Sequence, residues 1–298
     1  MSVDDSAPKH PLAEVFGFSI DDTSTDAERF RANKLCPFCN KVPSCTKDKA
    51  NSPLGVCSIY HNTAAVITCP VRFRQNWLIA EDAAKFFFKA GTAWTSLSEV
   101  RLTDKTGQTA GNIDIVLVSY DERGKILDFG SLEIQAVYIS GNIRTPFEFY
   151  LNNRGKMVGV HWHGKPNYPK PDYLSSSRKR LLPQMLYKGG ILKTWGKKQA
   201  VALQKSFFDT LPKMPTVAAE KADVAWMLYD LQKTSRKKQF ELVLSKIIYT
   251  DFESALEKIT NPVPGSINDF VDVLQHKLDE KLEGNPPDNR TLSDIVLQ

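Results

Sequence analysis

At 298 residues the chain is long enough for one large domain or two smaller ones, and 42% hydrophobic with 24% charged residues is an ordinary globular composition. A formal net charge of +5 suits a polyanionic partner without requiring one. No apolar run would span a bilayer, and the opening MSVDDSAPKHPLAEVF has acids where a secretory leader has basic residues and an apolar centre, so a cytoplasmic protein is expected.

Within the first segment, 10–30, Leu12-Ala13-Glu14-Val15-Phe16 reads as a short helix followed by a polar stretch. Positions 34–70 are rich in turn formers, hold all five cysteines and have little periodic apolar sequence to hold them together. Clustered cysteines in a reducing compartment argue against disulfides and for a metal site. A helix is predicted near Ala80–Lys89, where Ala83, Ala84, Phe87 and Phe88 recur at helical spacing. The region 97–140 is strand-like: β-branched and apolar from Gly111 to Tyr120, a turn at Asp121-Glu122-Arg123-Gly124, and a returning strand from Lys125 to Tyr138.

Beyond it, Leu181, Leu182, Met185, Leu186 and Leu192 predict a helix over 178–193, weakened by Gly189-Gly190. Ala225–Tyr229 and Phe240–Leu244 read as strands and Phe252–Ile259 as a helix, with a break at Asn261-Pro262-Val263-Pro264-Gly265. A last amphipathic helix covers 267–283 and a polar tail follows. Strands mixed with helices predict an α/β or α+β core. The expected divisions are an N-terminal segment at 1–75, a core at 76–265 and a C-terminal helix and tail at 266–298.

Two predicted strands carry acids in otherwise apolar surroundings. Ionised carboxylates are costly to bury unless compensated, and a divalent cation is one compensation. Strand alternation puts Glu133 and Gln135 on one face, opposite Leu132, Ile134 and Ala136. If the strands pair, Asp114 and Glu133 converge on one hard cation, most plausibly Mg²⁺, with the Gln135 amide beside it. Such a cation activates water and polarises a phosphoryl group. Solvated acids on edge strands would satisfy the same pattern, and Glu99, taken alone, would be assigned to the surface.

These residues and their surroundings resemble the NotI family of type II restriction endonucleases, within the wider PD-(D/E)xK nuclease fold. The resemblance runs over most of positions 11–260. It includes Cys36-Pro37-Phe38, Ser44-Cys45-Thr46-Lys47, Gly55-Val56-Cys57, Thr68-Cys69-Pro70, Leu132-Glu133-Ile134-Gln135 and Pro183-Gln184-Met185-Leu186-Tyr187-Lys188. It implies a restriction-endonuclease-like core, a mixed central sheet flanked by helices, and a homodimer that cuts both strands of double-stranded DNA within a short site. Asp114 and Glu133 match the family's metal-binding acids, and Glu99 a further acid upstream. Gln135 stands where the wider motif has lysine, and Ile113 where it has proline. An amide can position water but cannot offset developing negative charge.

The cysteine spacing is Cys36-x2-Cys39-x5-Cys45-x11-Cys57-x11-Cys69. Spacing alone selects Cys36-x2-Cys39 as a metal knuckle, and four thiolates suit zinc or iron. The resemblance instead implies Cys36, Cys45, Cys57 and Cys69 around a structural iron, with zinc as the alternative. Basic groups at Arg178-Lys179-Arg180, Lys197-Lys198 and Arg236-Lys237-Lys238 can neutralise phosphates or be ordinary surface charge. Arg178, Lys179 and Arg180 are favoured for DNA because serines precede them and a helix follows. His161-Trp162-His163 reads as structural or surface sequence. Gln184 and Lys188, one helical turn apart, either face the active site or serve packing and solvent. The expected activity is Mg²⁺-dependent restriction endonuclease cleavage leaving 5′-phosphate ends. A non-cleaving, sequence-specific DNA-binding protein and a structure-specific repair nuclease are the alternatives.

Overall fold

Leu12–Val15 forms a strand, β1, rather than the helix its apolar run predicts. Four apolar-flanked residues cannot distinguish the two by periodicity. The decision is made at their end, where Phe16 and Gly17 take φ of +51° and +85° and turn the chain back into β2, Phe18–Ser19. A side chain at position 17 would also strike Pro37, since a Cβ there would lie 2.2 Å from its Cγ. Helix α1, Thr25–Ala32, is capped by Ser24, whose side chain accepts from the Ala27 N–H. Two short paired strands follow, β3 (Asp48–Lys49) and β4 (Ser52–Pro53).

Strands β5 (Val56–His61) and β6 (Ala64–Ile67) complete a four-stranded antiparallel sheet in the order β2-β1-β5-β6. The cysteine-bearing stretch therefore contributes Val56, Ile59 and Val66 to the main core, contrary to its expected lack of packing. The structure describes, in a computed structural model, residues 10–39, 43–49, 52–154, 162–234, 239–261 and 263–283. His161 and Arg236-Lys237-Lys238 lie outside the described residues.

Helix α2, Leu78–Phe87, agrees with the sequence reading to within two residues at each end. Three strands follow: β7 (Trp94–Thr103), β8 (Thr109–Tyr120) and β9 (Ile126–Gln135). The predicted turn between β8 and β9 is built on Asp121, whose Oδ1 accepts from the N–H groups of Arg123 and Lys125. After β10 (Tyr138–Ser140) and α3 (Arg144–Asn152), β11 (Lys170–Asp172) pairs back on β10. Asp172 then caps a helix over residues 173–194, here α4, whose α-helical turns alternate with π-helical ones at Ser177–Leu181 and Met185–Gly189.

Strand β12, Gln199–Gln204, is wholly buried and was not anticipated. It runs parallel to both neighbours, β9 and β13 (Val224–Lys233), and β14 (Phe240–Thr250) returns antiparallel to β13. The result is a six-stranded mixed sheet in the order β14-β13-β12-β9-β8-β7. A central parallel strand covered on both faces shows a continuous apolar run instead of alternation, and Ala200-Val201-Ala202-Leu203 is such a run.

One face of this sheet packs Ile115, Leu132, Ile134, Ala200 and Met227 against Ile79, Ala83 and Phe86 of α2. The other packs Val201, Leu203, Trp226 and Leu228 with Leu181 and Met185 of α4, and with Phe252 and Ala255 of α5 (Phe252–Thr260). The fold is thus mixed α/β, a central mixed sheet flanked by helices, as expected. The chain divides into two compact units, Met1–Thr260 and Asn261–Gln298. The second holds α6, Ile267–Glu283, with the amphipathic spacing read from the sequence. Among the described residues no helix is long and apolar enough to cross a membrane.

Candidate active site

The β8–β9 hairpin brings the two strand acids together. Its last paired residues are Ile115 and Leu132, and one further step in that register places Asp114 opposite Glu133. Both acids turn to the face covered by α4, because Glu133 is in register with Val201 of the α4-side core. Asp114 Oδ2 accepts the Ile134 N–H at 2.8 Å, fixing its carboxylate against β9. Gln135 is buried on the same side as Glu133, and its Nε2 donates to the Ala136 carbonyl at 3.1 Å. The solvated-edge alternative therefore does not describe Glu133, which is only 2% exposed.

Burial is the larger reason that the Glu133 carboxyl is pushed up to about 7, and the adjacent Asp114 carboxylate adds to it. The opposing influence is Lys188. Its Nζ lies 3.0 Å from Oε1 and 2.9 Å from Oε2 of Glu133, with both side chains buried. Spacing alone left Lys188 undecided between the site and solvent. Its partner sits 55 residues away, across a crossover that local patterning does not trace.

Glu99 lies on β7 between the pairs Ser98–Ile115 and Val100–Ile113, and so in the row of Asp114. It is exposed, and its backbone is left-handed at φ +56°. A non-glycine residue held in that region stores strain. Glu99 takes no part in the Glu133–Lys188 contact.

A cleft of about 660 Å³ opens beside Asp114 and reaches the cysteine segment. Asp114, Gln135 and Gln184 line one part of it and Cys36, Cys45 and Cys69 another. Arg180 stands at the cleft with its guanidinium 4.3 Å from the Tyr138 ring centroid. Arg178, Lys179 and Arg180 are all exposed. The serines before them are engaged internally: Ser176 Oγ donates to the Asp172 carbonyl and Ser177 Oγ to that of Leu174. Asp172 already accepts from one of the free N–H groups in the first turn of α4, that of Ser175. Lys197 is paired with Asp128, and Lys198 donates to the Phe86 carbonyl.

All five cysteines are free thiols. Cys36 and Cys45 sit on a narrow loop closed by Cys36 N–H to Pro43 O and Cys45 N–H to Lys34 O. Cys57 is on β5, and Cys69 lies two residues past the end of β6. Lys47 ties the two parts, its Nζ donating to the carbonyls of Val56 and Thr68 at 2.7 and 2.9 Å. Burial pushes the Cys36 thiol up to about 12, and the neighbouring Cys69, Cys45 and Cys39 add to it. Burial likewise raises Cys57, with Cys69 and Cys36 among its neighbours. The thiols neighbour one another, yet among the described residues no three Cys, His, Asp or Glu groups are arranged to hold a metal ion. The four-thiolate cage implied by the resemblance is thus not assembled by the thiols as they lie.

The donor set at Asp114 and Glu133 is different in kind. Two hard carboxylates meet side by side, and Mg²⁺ commonly takes one or two protein carboxylates and completes its shell with water and phosphate. Those residues fit such an ion. No curated protein is similar enough to the chain to be matched. A family model described as restriction endonuclease NotI matches residues 14–242, a span that contains the acids, Gln135, Lys188 and every cysteine. The chain therefore belongs to the NotI restriction endonuclease family, whose partner is DNA.

Proposed function

We propose that the protein is a Mg²⁺-dependent type II restriction endonuclease that hydrolyses phosphodiesters at a specific site in double-stranded DNA. The observation that carries this reading is the meeting of Asp114 and Glu133 across the β8–β9 hairpin, beside an open cleft. Asp114 and Glu133 would hold the cation, which would polarise a phosphoryl oxygen and lower the pKa of a water. Gln135 has its Nε2 committed to the Ala136 carbonyl, so its Oε1 is the atom that accepts from the attacking water and aims it. The water oxygen bonds to phosphorus in line with the 3′-oxygen. The P–O3′ bond breaks, the attacking water's proton passes to solvent and the 3′-oxygen takes one from solvent, leaving a 5′-phosphate and a 3′-hydroxyl. Glu99, in the row of Asp114, is the further acid of the site. Arg178, Lys179 and Arg180 contact the DNA backbone from the exposed side of α4. Cutting both strands of one site calls for a homodimer, and the proposed enzyme acts in the cytoplasm.

Purified protein incubated with long DNA and Mg²⁺ is expected to give discrete fragments with sequenceable 5′-phosphate ends. No fragments over a broad panel of DNAs sinks the reading. Site-specific binding without cutting under any divalent metal would mark a DNA-binding protein instead, and cutting that follows structure rather than sequence would mark a repair nuclease.

We also infer that residues 1–75 carry a structural iron held by Cys36, Cys45, Cys57 and Cys69, ahead of a nuclease core at 76–265 and a helix and tail at 266–298. Support comes from the neighbouring thiols and from the cross-linking of their segments through Lys47. A metal would add folding energy to the narrow loop that has little core of its own. Metal analysis is expected to find one iron per chain and a red colour, both lost in Cys45→Ser and kept in Cys39→Ser. A colourless protein with stoichiometric zinc contradicts iron, and loss of metal in Cys39→Ser but not Cys57→Ser would reassign the fourth ligand.

A further inference from the structure

We propose that Lys188 supplies the positive charge of this active site, doing from α4 what Gln135 cannot do from β9. The inference rests on the nuclease reading of Asp114 and Glu133 and adds to it a residue with a defined role. Lys188 acts through the Glu133 carboxylate and is in that sense a positioning residue. Its ammonium also offsets negative charge gathered beside that carboxylate.

The construction around Lys188 is specific. Its side chain is buried, and its Nζ bridges both oxygens of Glu133. Around Glu133 the charged groups are Asp114 on the neighbouring strand and Lys188 on the helix, so one cation faces two acids. The residue two positions along the same strand face is the uncharged Gln135. Lys188 lies inside the π-helical turn Met185–Gly189. Such turns add a residue to a helical turn and re-aim a side chain, and they recur at functional sites. The stem passes Gly111 on β8, whose φ of +105° suits glycine and where a Cβ would meet the Lys188 Cε in ordinary contact at 3.4 Å. The helix is held close by Gly189, where a Cβ would come within 2.4 Å of Phe252 Cε2 on α5.

A buried ion pair that merely packs the sheet against α4 would explain the contact but would not care where the charge sits. Moving the charge separates the two roles. Three proteins are compared with wild type: Lys188→Met, Gln135→Lys, and the double variant Lys188→Met/Gln135→Lys. Lys188→Met is expected to cut DNA at least about 10²-fold more slowly under single-turnover conditions with Mg²⁺, the loss typical of one preorganised charge-stabilising group. DNA binding in Ca²⁺ should be retained. The double variant should recover at least about tenfold of the lost rate, because the ammonium returns two residues from Glu133 on the same face.

A second readout needs no cleavage. Calcium titration of the DNA-free protein is expected to show about tenfold tighter binding by Lys188→Met, since a like charge next to the two acids is gone. The inference is overturned if Lys188→Met cuts at the wild-type rate, or if its calcium affinity is unchanged. It is also overturned if the double variant is folded and binds DNA but cuts no faster than Lys188→Met. Should Lys188→Met not fold, the double variant decides alone: cutting supports the inference and folded inactivity overturns it. Wild-type protein that cuts no DNA would defeat the nuclease reading itself, while the calcium comparison would still judge Lys188.

Discussion

Replacing Glu133 by alanine is expected to abolish DNA cleavage, by about 10³-fold or more, and to lower stability in the same protein. The first effect follows from losing one of two acids that meet across the β8–β9 hairpin, the other of which, Asp114, lines the cleft. The second follows from Lys188, whose ammonium would be left buried and unpaired. Breaking a buried ion pair from one side typically costs about 3–5 kcal/mol, because the remaining charge keeps its desolvation penalty. The two losses can be separated. Glu133→Ala/Lys188→Met removes both charges and should regain most of the stability while staying inactive. Asp114→Asn should be inactive with a smaller loss of stability, since an amide oxygen can still accept the Ile134 N–H. Single-turnover cleavage and thermal unfolding measured on the same preparations test all three. Undiminished cutting by Glu133→Ala would move the active site elsewhere.

The largest purely structural effect is expected at Arg72, which joins three segments that are distant in sequence. Its Nε lies 3.0 Å from both carboxylate oxygens of Glu14 on β1, and both side chains are fully buried. One terminal nitrogen donates to Gln75 Oε1 and the other to the Phe240 carbonyl at the start of β14. Ser58 Oγ donates to Glu14 from β5, and the Phe38 ring lies 4.4 Å from the guanidinium. Burial raises the Glu14 carboxyl, with Arg72 and Ser58 working against that shift. Arg72→Met should therefore cost about 3–5 kcal/mol, enough to unfold much of a marginally stable population. Glu14→Gln/Arg72→Met should cost clearly less than the sum of the two single changes, because no charge is then stranded. Denaturant melts of the four proteins give the coupling, and strict additivity would show that the network is not a unit.

The site was half legible in the sequence. Acids set in apolar strands, and a turn made by Asp121 and Gly124, sufficed to pair β8 with β9 and to bring Asp114 to Glu133. Both signals are local, one a period and the other a turn chemistry. Lys188 stands in the sequence as the end of the family-like Pro183–Lys188 segment and a helical neighbour of Gln184, but its direction depends on a π-helical turn that i+4 counting does not anticipate. The left-handed backbone of Glu99 likewise has no composition signal. In the fold, long amphipathic elements such as α2 and α6 agreed with their spacing. Short or fully buried ones did not: β1 imitated a helical turn, and β12 had no alternation to display. Burial of Glu14 in β1 depends on Arg72, far along the chain, so no window around residue 14 contains the reason for it.

The parallel pairing of β9 with β12 bears on when the protein becomes able to act. The hairpin that unites the acids closes over the short turn at Asp121–Gly124, a contact that a growing chain can make as soon as β9 has emerged. Lys188 belongs to the connection between β9 and β12, and the strand that pairs with β9 on its other side begins only at Gln199. Long-range parallel pairing of this kind carries a larger loop-closure cost and forms late. A nascent chain that has released only its first 135 residues therefore holds two mutually repelling acids with neither their countercharge nor the strand that buries Glu133. If these acids are the catalytic ones proposed, cutting competence is deferred to the completion of the sheet, and unfinished chains are poor nucleases by construction.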